Sequence, residues 1–90
     1  MISDAEIKVA MQFWCPIKCD TPETIKHVLV RLREMGCHWA NGNPLDENDN
    51  WTKWSIKSLE DGCNPIYITP KKNHLVCWGT TPDSPNGFYL

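Results

Sequence analysis

Residues 7 to 15 alternate between apolar and polar side chains. The apolar side chains on alternate positions are Ile7, Val9, Met11, Phe13 and Cys15. A period of two is typical of a β-strand, because successive side chains of a strand point to opposite faces. The alternation therefore predicts a first strand that Pro16 ends.

The pattern changes to a helical period after Asp20. Thr21 is suited to the N-cap and Pro22 to the first helical position. The apolar residues that then recur at helical spacing are Ile25, Val28, Leu29, Leu32 and Met35. Gly36 follows, where a left-handed residue commonly ends a helix. We therefore predict a helix from Pro22 to Met35.

The second half of the chain predicts short strands and loops. The predicted elements, in order, are a strand at 37–40, a turn at 41–44, an acidic loop at 45–50, a strand or irregular cover at 51–56, a loop at 58–65, a strand at 66–69, a turn at 70–73 and a strand at 74–78. The order is β-α-β-(loop)-β-β, which predicts an α+β fold with one helix packed on a mostly antiparallel sheet. We expect a single domain over residues 1–79 and a loosely docked tail over 80–90.

Size, charge and cysteine content limit the classes of function. A chain of 90 residues makes one domain, and its formal net charge of −2 is dispersed. The one adjacent basic pair is Lys71-Lys72, which argues against duplex nucleic acid as a partner. We expect neither a signal peptide nor a membrane-spanning segment. Five cysteines, an odd number, predict reduced thiols in a cytoplasm.

Two patterns could bind metal ions. Cys15 and Cys19 have the spacing of a zinc knuckle, so a small zinc-stabilised module is one alternative. We favour buried cysteines without a ligand role, because cysteine is among the most buried residue types. The acidic run that begins at Asp46 resembles a calcium loop. It has Trp51 and Lys57 where the EF-hand pattern has glycine and glutamate.

The sequence contains no motif that requires an enzyme. We find no glycine-rich phosphate loop, no G-x-S-x-G and no H-E-x-x-H. Cys37 and His38 are adjacent in a predicted strand, so their side chains diverge and cannot form a nucleophile and base pair. We therefore expect a protein that is not an enzyme and uses no cofactor.

Aromatic residues and lysines concentrate in the second half of the chain. The candidate residues for binding a ligand or partner are Trp39, Trp51, Trp54, Tyr67, Lys71, Lys72 and Trp78. Aromatic faces stack on bases and lysines pair with phosphates, so a nucleotide-like ligand is one interpretation. For most individual residues we favour a place in the core, because a small domain has little other apolar bulk.

A spacing motif, Leu-x-x-x-Gly-x-x-Trp-x-x-Gly, follows the capped helix. Here it is formed by Leu32, Gly36, Trp39 and Gly42, and the hairpin from Ile66 to Trp78 comes after it. This combination resembles small accessory proteins encoded by tailed bacteriophages. Without the resemblance, the same residues predict a corner of the fold, in which Gly36 ends a helix and Trp39 returns to the core.

The resemblance implies a host-directed function in the cytoplasm of the infected cell. On this basis we expect a binding protein that inhibits a host system, such as a defence system, by contacting a host protein through the acidic loop, Trp51 and Trp54. The alternative is sequestration of a nucleotide-type signal at a subunit interface. Either mechanism is compatible with a homo-oligomer, since a small domain rich in tryptophan has apolar surface to spare.

Overall fold

The computed structural model describes residues 2–82. The elements are α1 (Asp4–Phe13), β1 (Ile17–Cys19), α2 (Pro22–Glu34), β2 (His38–Trp39), α3 (Asn50–Glu60), β3 (Ile66–Lys71), a short 3-10 turn (Lys72–His74) and β4 (Leu75–Gly79). Most of the predicted tail, residues 83–90, lies outside the described residues. The boundary at residue 79 therefore stays a prediction.

Four strands form one mixed sheet in the order β1-β3-β4-β2. β1 pairs antiparallel with β3, β3 pairs antiparallel with β4, and β2 pairs parallel with β4. The α+β class is confirmed. The predicted element order is wrong, because the part of the chain that the structure describes has three helices and begins with one of them.

The segment predicted as the first strand is helix α1. Ser3 and Glu6 form a capping box, in which Ser3 Oγ accepts from the Glu6 amide at 3.2 Å and the Glu6 carboxylate accepts from the Ser3 amide at 3.3 Å. Ile7 and Ala10 are the fully buried residues of this helix. Their spacing of three residues is helical, and it outweighs the alternation that also exists in this stretch.

Residues 51–56, predicted as a strand or irregular cover, belong to helix α3. Asp49 is the N-cap, and its carboxylate accepts from the Trp51 amide at 2.9 Å. The buried residues of the helix are Thr52, Ser55 and Leu59. Two of these three are small and polar, so the buried face does not stand out as an apolar stripe in the sequence.

Helix α2 confirms its prediction to within one residue at its end. Thr21 Oγ1 accepts from the Thr24 amide at 3.2 Å, and Pro22 opens the helix. At the other end the Cys37 amide donates to the Leu32 carbonyl at 3.0 Å, and Gly36 has φ +89°. These features define a Schellman motif, which satisfies carbonyls that the helix itself leaves unpaired.

The predicted strands around and after this corner are confirmed with small shifts. β2 lies within the predicted strand at 37–40, and β3 extends the predicted strand at 66–69 to Lys71. The returning strand β4 begins at Leu75, because the turn before it is a short 3-10 segment.

The core lies between the three helices and the sheet. α1 and α3 contact β3, α2 contacts β1, and α2 lies between the other two helices. Trp39 is fully buried at this junction, and its Nε1 donates to Thr52 Oγ1 at 3.1 Å. The Trp51 ring meets the Trp39 ring edge to face, with ring centroids 5.6 Å apart. Aromatic packing and one buried hydrogen bond therefore stabilise the connection between α2 and α3.

Candidate binding surfaces

The residues predicted to bind a ligand do not form a single site. Trp39 is fully buried and Tyr67 is only 7% exposed, so both are core residues of this fold and not surface contacts. Trp51 and Trp78 are partly buried and pack against the core. Trp39 and Tyr67 therefore occupy the core, where a small domain needs aromatic bulk, and the predicted ligand contacts of the set stay a prediction.

Two of the predicted residues, Lys71 and Trp78, line one small pocket of about 70 Å³ on β3 and β4. Trp54 is 52% exposed on the outer face of α3, one turn before Lys57, which pairs with Asp61 at 3.1 Å. Lys71 ends β3 and is partly buried, whereas Lys72 is exposed in the turn that follows. The acidic loop precedes Trp54, but Asp49 of that loop caps α3.

The clearest exposed apolar surface is at the end of helix α1. Val9 and Phe13 are one turn apart on the same helix face and are 42% and 53% exposed. Trp14 follows directly and is 40% exposed. We call these three residues the α1 patch.

Trp14 is held in an uncommon backbone conformation. It caps α1 with φ 54° and ψ 41°, and its amide donates to the Ala10 carbonyl. The left-handed region costs a residue other than glycine about 1–2 kcal/mol, so surrounding contacts must hold it there. Burial alone does not account for such a position, because the indole ring stays half exposed.

The turn between β3 and β4 supplies a contact to Trp14. Lys72 Nζ lies over the indole ring, 5.1 Å from its centroid. The next two residues of the turn, Asn73 and His74, also have positive φ, at 62° and 60°. The end of α1 and the turn between β3 and β4, both with residues of positive φ, are therefore in contact through the Trp14 and Lys72 side chains. Such uncommon backbone conformations are enriched at functional sites.

Sequence reasoning missed the α1 patch because it assigned Phe13 to a strand and left Trp14 on its opposite face. The signal that could have found it is the capping box at Ser3 and Glu6, which predicts a helix start and not a strand. On a helix, Val9 and Phe13 fall on one exposed face.

A second surface feature is a groove between α2 and the loop that leads to α3. It has a volume of about 320 Å³. Lys26, Val30 and Arg33 line one wall, and Leu45, Asp46 and Glu47 line the other. We call this the α2 groove.

The zinc knuckle was an alternative for Cys15 and Cys19 that the sequence left open. Within residues 2–82 no group of three or more His, Cys, Asp or Glu side chains is placed to hold a metal ion. Cys19 is fully buried, and its burial, with the nearby Asp20 carboxylate, raises the pKa of the thiol to about 12. Burial also raises the pKa of Cys37. Cys15 and Cys19 both belong to the buried core cluster, as the favoured interpretation of these cysteines expects.

Comparison of the chain with models of protein families, with curated proteins and with solved structures finds no match. Across residues 2–82, no helix combines the length and the apolar character that crossing a membrane requires.

Proposed function

We propose that this is a non-enzymatic binding protein that inhibits a host system by contacting a host protein through the α1 patch. The observation that carries the proposal is the exposure of two consecutive aromatic side chains, Phe13 and Trp14, at the end of a capped helix. This proposal assigns the contact to α1, in place of the acidic loop, Trp51 and Trp54 that the sequence suggested.

The physical argument rests on the cost of exposing large aromatic rings. A Phe or Trp ring buries about 150–250 Å² when it is covered, so an uncovered pair forgoes a large apolar gain. Aromatic residues are enriched at interfaces and among the residues that dominate binding energy. Trp14 is also fixed at the backbone by its cap hydrogen bond and at the ring by Lys72. A ring that is already positioned loses little entropy on binding, which favours affinity.

The bacteriophage context, and with it action in a host cytoplasm, rests on the resemblance alone. Leu32 and Trp39 are buried, and Gly36 and Gly42 have φ of +89° and +92°. All four motif residues therefore have structural reasons for their identity. The resemblance concerns the corner of the fold, and the partner contacts are to be sought in residues outside the motif.

The test uses site-specific photo-crosslinking in bacterial cells that produce the protein. A photoreactive phenylalanine analogue is placed at Phe13 and, as matched exposed controls, at Val30 and Trp54. We expect a discrete crosslinked host protein from position 13 and from neither control. Equal crosslinking from all three positions, or none from position 13, contradicts the proposal.

A second variant separates binding from folding. Trp14→Gly removes the indole ring, and glycine adopts the left-handed conformation of this position without strain. The variant should keep its thermal stability within a few degrees and lose affinity for the purified partner by at least about tenfold, the loss of a strong interface residue. Native mass spectrometry of the wild type reports subunit number in parallel. A co-purified nucleotide that the Trp14→Gly variant retains would instead favour sequestration.

A further inference from the structure

The α2 groove has walls of opposite charge. Lys26, Val30 and Arg33 lie on one face of α2, and the two cations are seven residues apart, or about 10 Å along the helix axis. The facing wall presents the carboxylates of Asp46 and Glu47. Val30 lies between Lys26 and Arg33 on the α2 wall, is 51% exposed, and gives the groove an apolar surface.

The acidic wall is a loop that is anchored to the rest of the fold. The Leu45 side chain of this loop is only 3% exposed and packs in the core. Asp46 Oδ1 accepts from the Asn48 amide at 3.0 Å, and the Asp46 carbonyl accepts from the Asp49 amide at 3.0 Å. Asp49 in turn caps α3. These bonds order Asp46 before any ligand arrives, which reduces the entropy cost of binding at that carboxylate, whereas Glu47 is exposed.

The charges of the two walls do not neutralise one another directly. The ion pairs within residues 2–82 join Arg31 to Asp4 and to Glu34, and Lys57 to Asp61. None of them bridges the groove. A ligand that enters the groove therefore meets two cations on one side and two carboxylates on the other.

This charge arrangement selects the chemistry of the ligand. A nucleotide or another phosphate-rich molecule is attracted by the α2 wall and repelled by the acidic wall, and for a polyamine the two effects are exchanged, so a ligand of one sign gains little net attraction. A molecule that carries one charge of each sign on an apolar body is complementary to both walls. A groove of about 320 Å³ is near the lower end of the usual ligand-site range, about 300–1,000 Å³, so the molecule must be small.

We propose that the α2 groove binds a short apolar peptide with free termini. Its carboxylate lies against Lys26 and Arg33, its ammonium group against Asp46 and Glu47, and its apolar side chains on Val30. This site is distinct from the α1 patch and does not depend on the function proposed for that surface.

The test is calorimetric titration of the full chain with the dipeptide Leu-Leu. We expect saturable binding, weakened about fivefold or more when the peptide is N-acetylated or C-amidated, as for the loss of one partly exposed ion pair. ATP serves as the phosphate-rich probe and should bind more weakly than the dipeptide. Absence of dipeptide binding at millimolar concentration, equal binding of the capped peptides, or tighter binding of ATP overturns the proposal.

Charge reversal gives a test that unfolding cannot imitate. Lys26→Glu and Glu47→Lys should each weaken dipeptide binding about fivefold, whereas Lys8→Glu, an exposed helix position outside the groove, should leave it unchanged. The loss caused by Lys26→Glu should disappear with the C-amidated peptide, which has no carboxylate for Lys26 to pair with, and the loss caused by Glu47→Lys should disappear with the N-acetylated peptide. Equal losses with free and capped peptides contradict recognition of the two termini by the two walls.

Discussion

Replacement of Gly36 by alanine tests the corner between α2 and β2. Gly36 has φ +89°, and a Cβ atom built on it has no heavy atom within 4 Å. The substitution therefore introduces no clash. Any destabilisation must come from the backbone conformation that the Schellman motif requires.

The expected magnitude follows from two opposing effects. Holding alanine in the left-handed region costs about 1–2 kcal/mol. Alanine also restricts the unfolded chain, which stabilises the protein by about 0.4–1 kcal/mol. The net loss in the free energy of unfolding is then about 1 kcal/mol, equivalent to a fall in Tm of about 4–8 °C for a domain of this size.

Gly79→Ala is the matched control, because Gly79 has no positive φ and its added Cβ would lie 3.9 Å from the Thr81 carbonyl oxygen, an ordinary contact. Denaturant titration of both variants should show Gly36→Ala less stable than Gly79→Ala by at least about 1 kcal/mol. The effect of alanine on the unfolded chain is common to both variants, so this difference is the backbone strain at position 36. Gly36→Asn should recover part of the loss, since asparagine tolerates this conformation. Equal stability of the two alanine variants would refute the backbone argument.

Three further measurements probe the core. Thr52→Val keeps the side-chain shape but leaves the buried Trp39 Nε1–H without its acceptor, so the free energy of unfolding should fall by about 1–3 kcal/mol in a denaturant titration; an unchanged value contradicts the bond. The pKa of Cys19 is about 12 in the folded protein against 9.0 for the ordinary thiol, so its contribution to stability is complete below pH 9.0 and is lost as the pH rises toward 12. Stability measured across that range should fall less steeply with pH in Cys19→Ala. In the native protein at about pH 8, iodoacetamide should modify the exposed Cys63 and spare Cys19, and rapid labelling of Cys19 would contradict its burial.

Local signals in the sequence predicted the elements whose ends are chemically marked. Thr21, Pro22 and Gly36 mark both ends of α2, and its apolar period agrees with them. The β3–β4 hairpin follows from two apolar runs around a polar turn. In these elements, local propensity and tertiary packing favour the same structure.

The errors occurred where two periods compete or where the buried face is polar. In α1 the chance alternation of apolar residues masks the helical pair Ile7 and Ala10. In α3 the buried position Thr52 accepts a hydrogen bond from Trp39, a contact across the fold that the sequence does not show, and Ser55 donates to the Thr52 carbonyl of its own helix. The α1 patch was missed for the first reason, because a helix and not a strand places Val9 and Phe13 together.

The strand order has a consequence for synthesis of the chain on the ribosome. The two central strands, β3 and β4, are the last two to be made, while the edge strands β1 and β2 come earlier and pair only with them. A nascent chain that has not yet reached Ile66 thus lacks the two strands with which β1 and β2 pair in the sheet. The sheet can assemble only after translation has passed Gly79, so fragments that stop short of the hairpin should be recognised as unfolded and degraded.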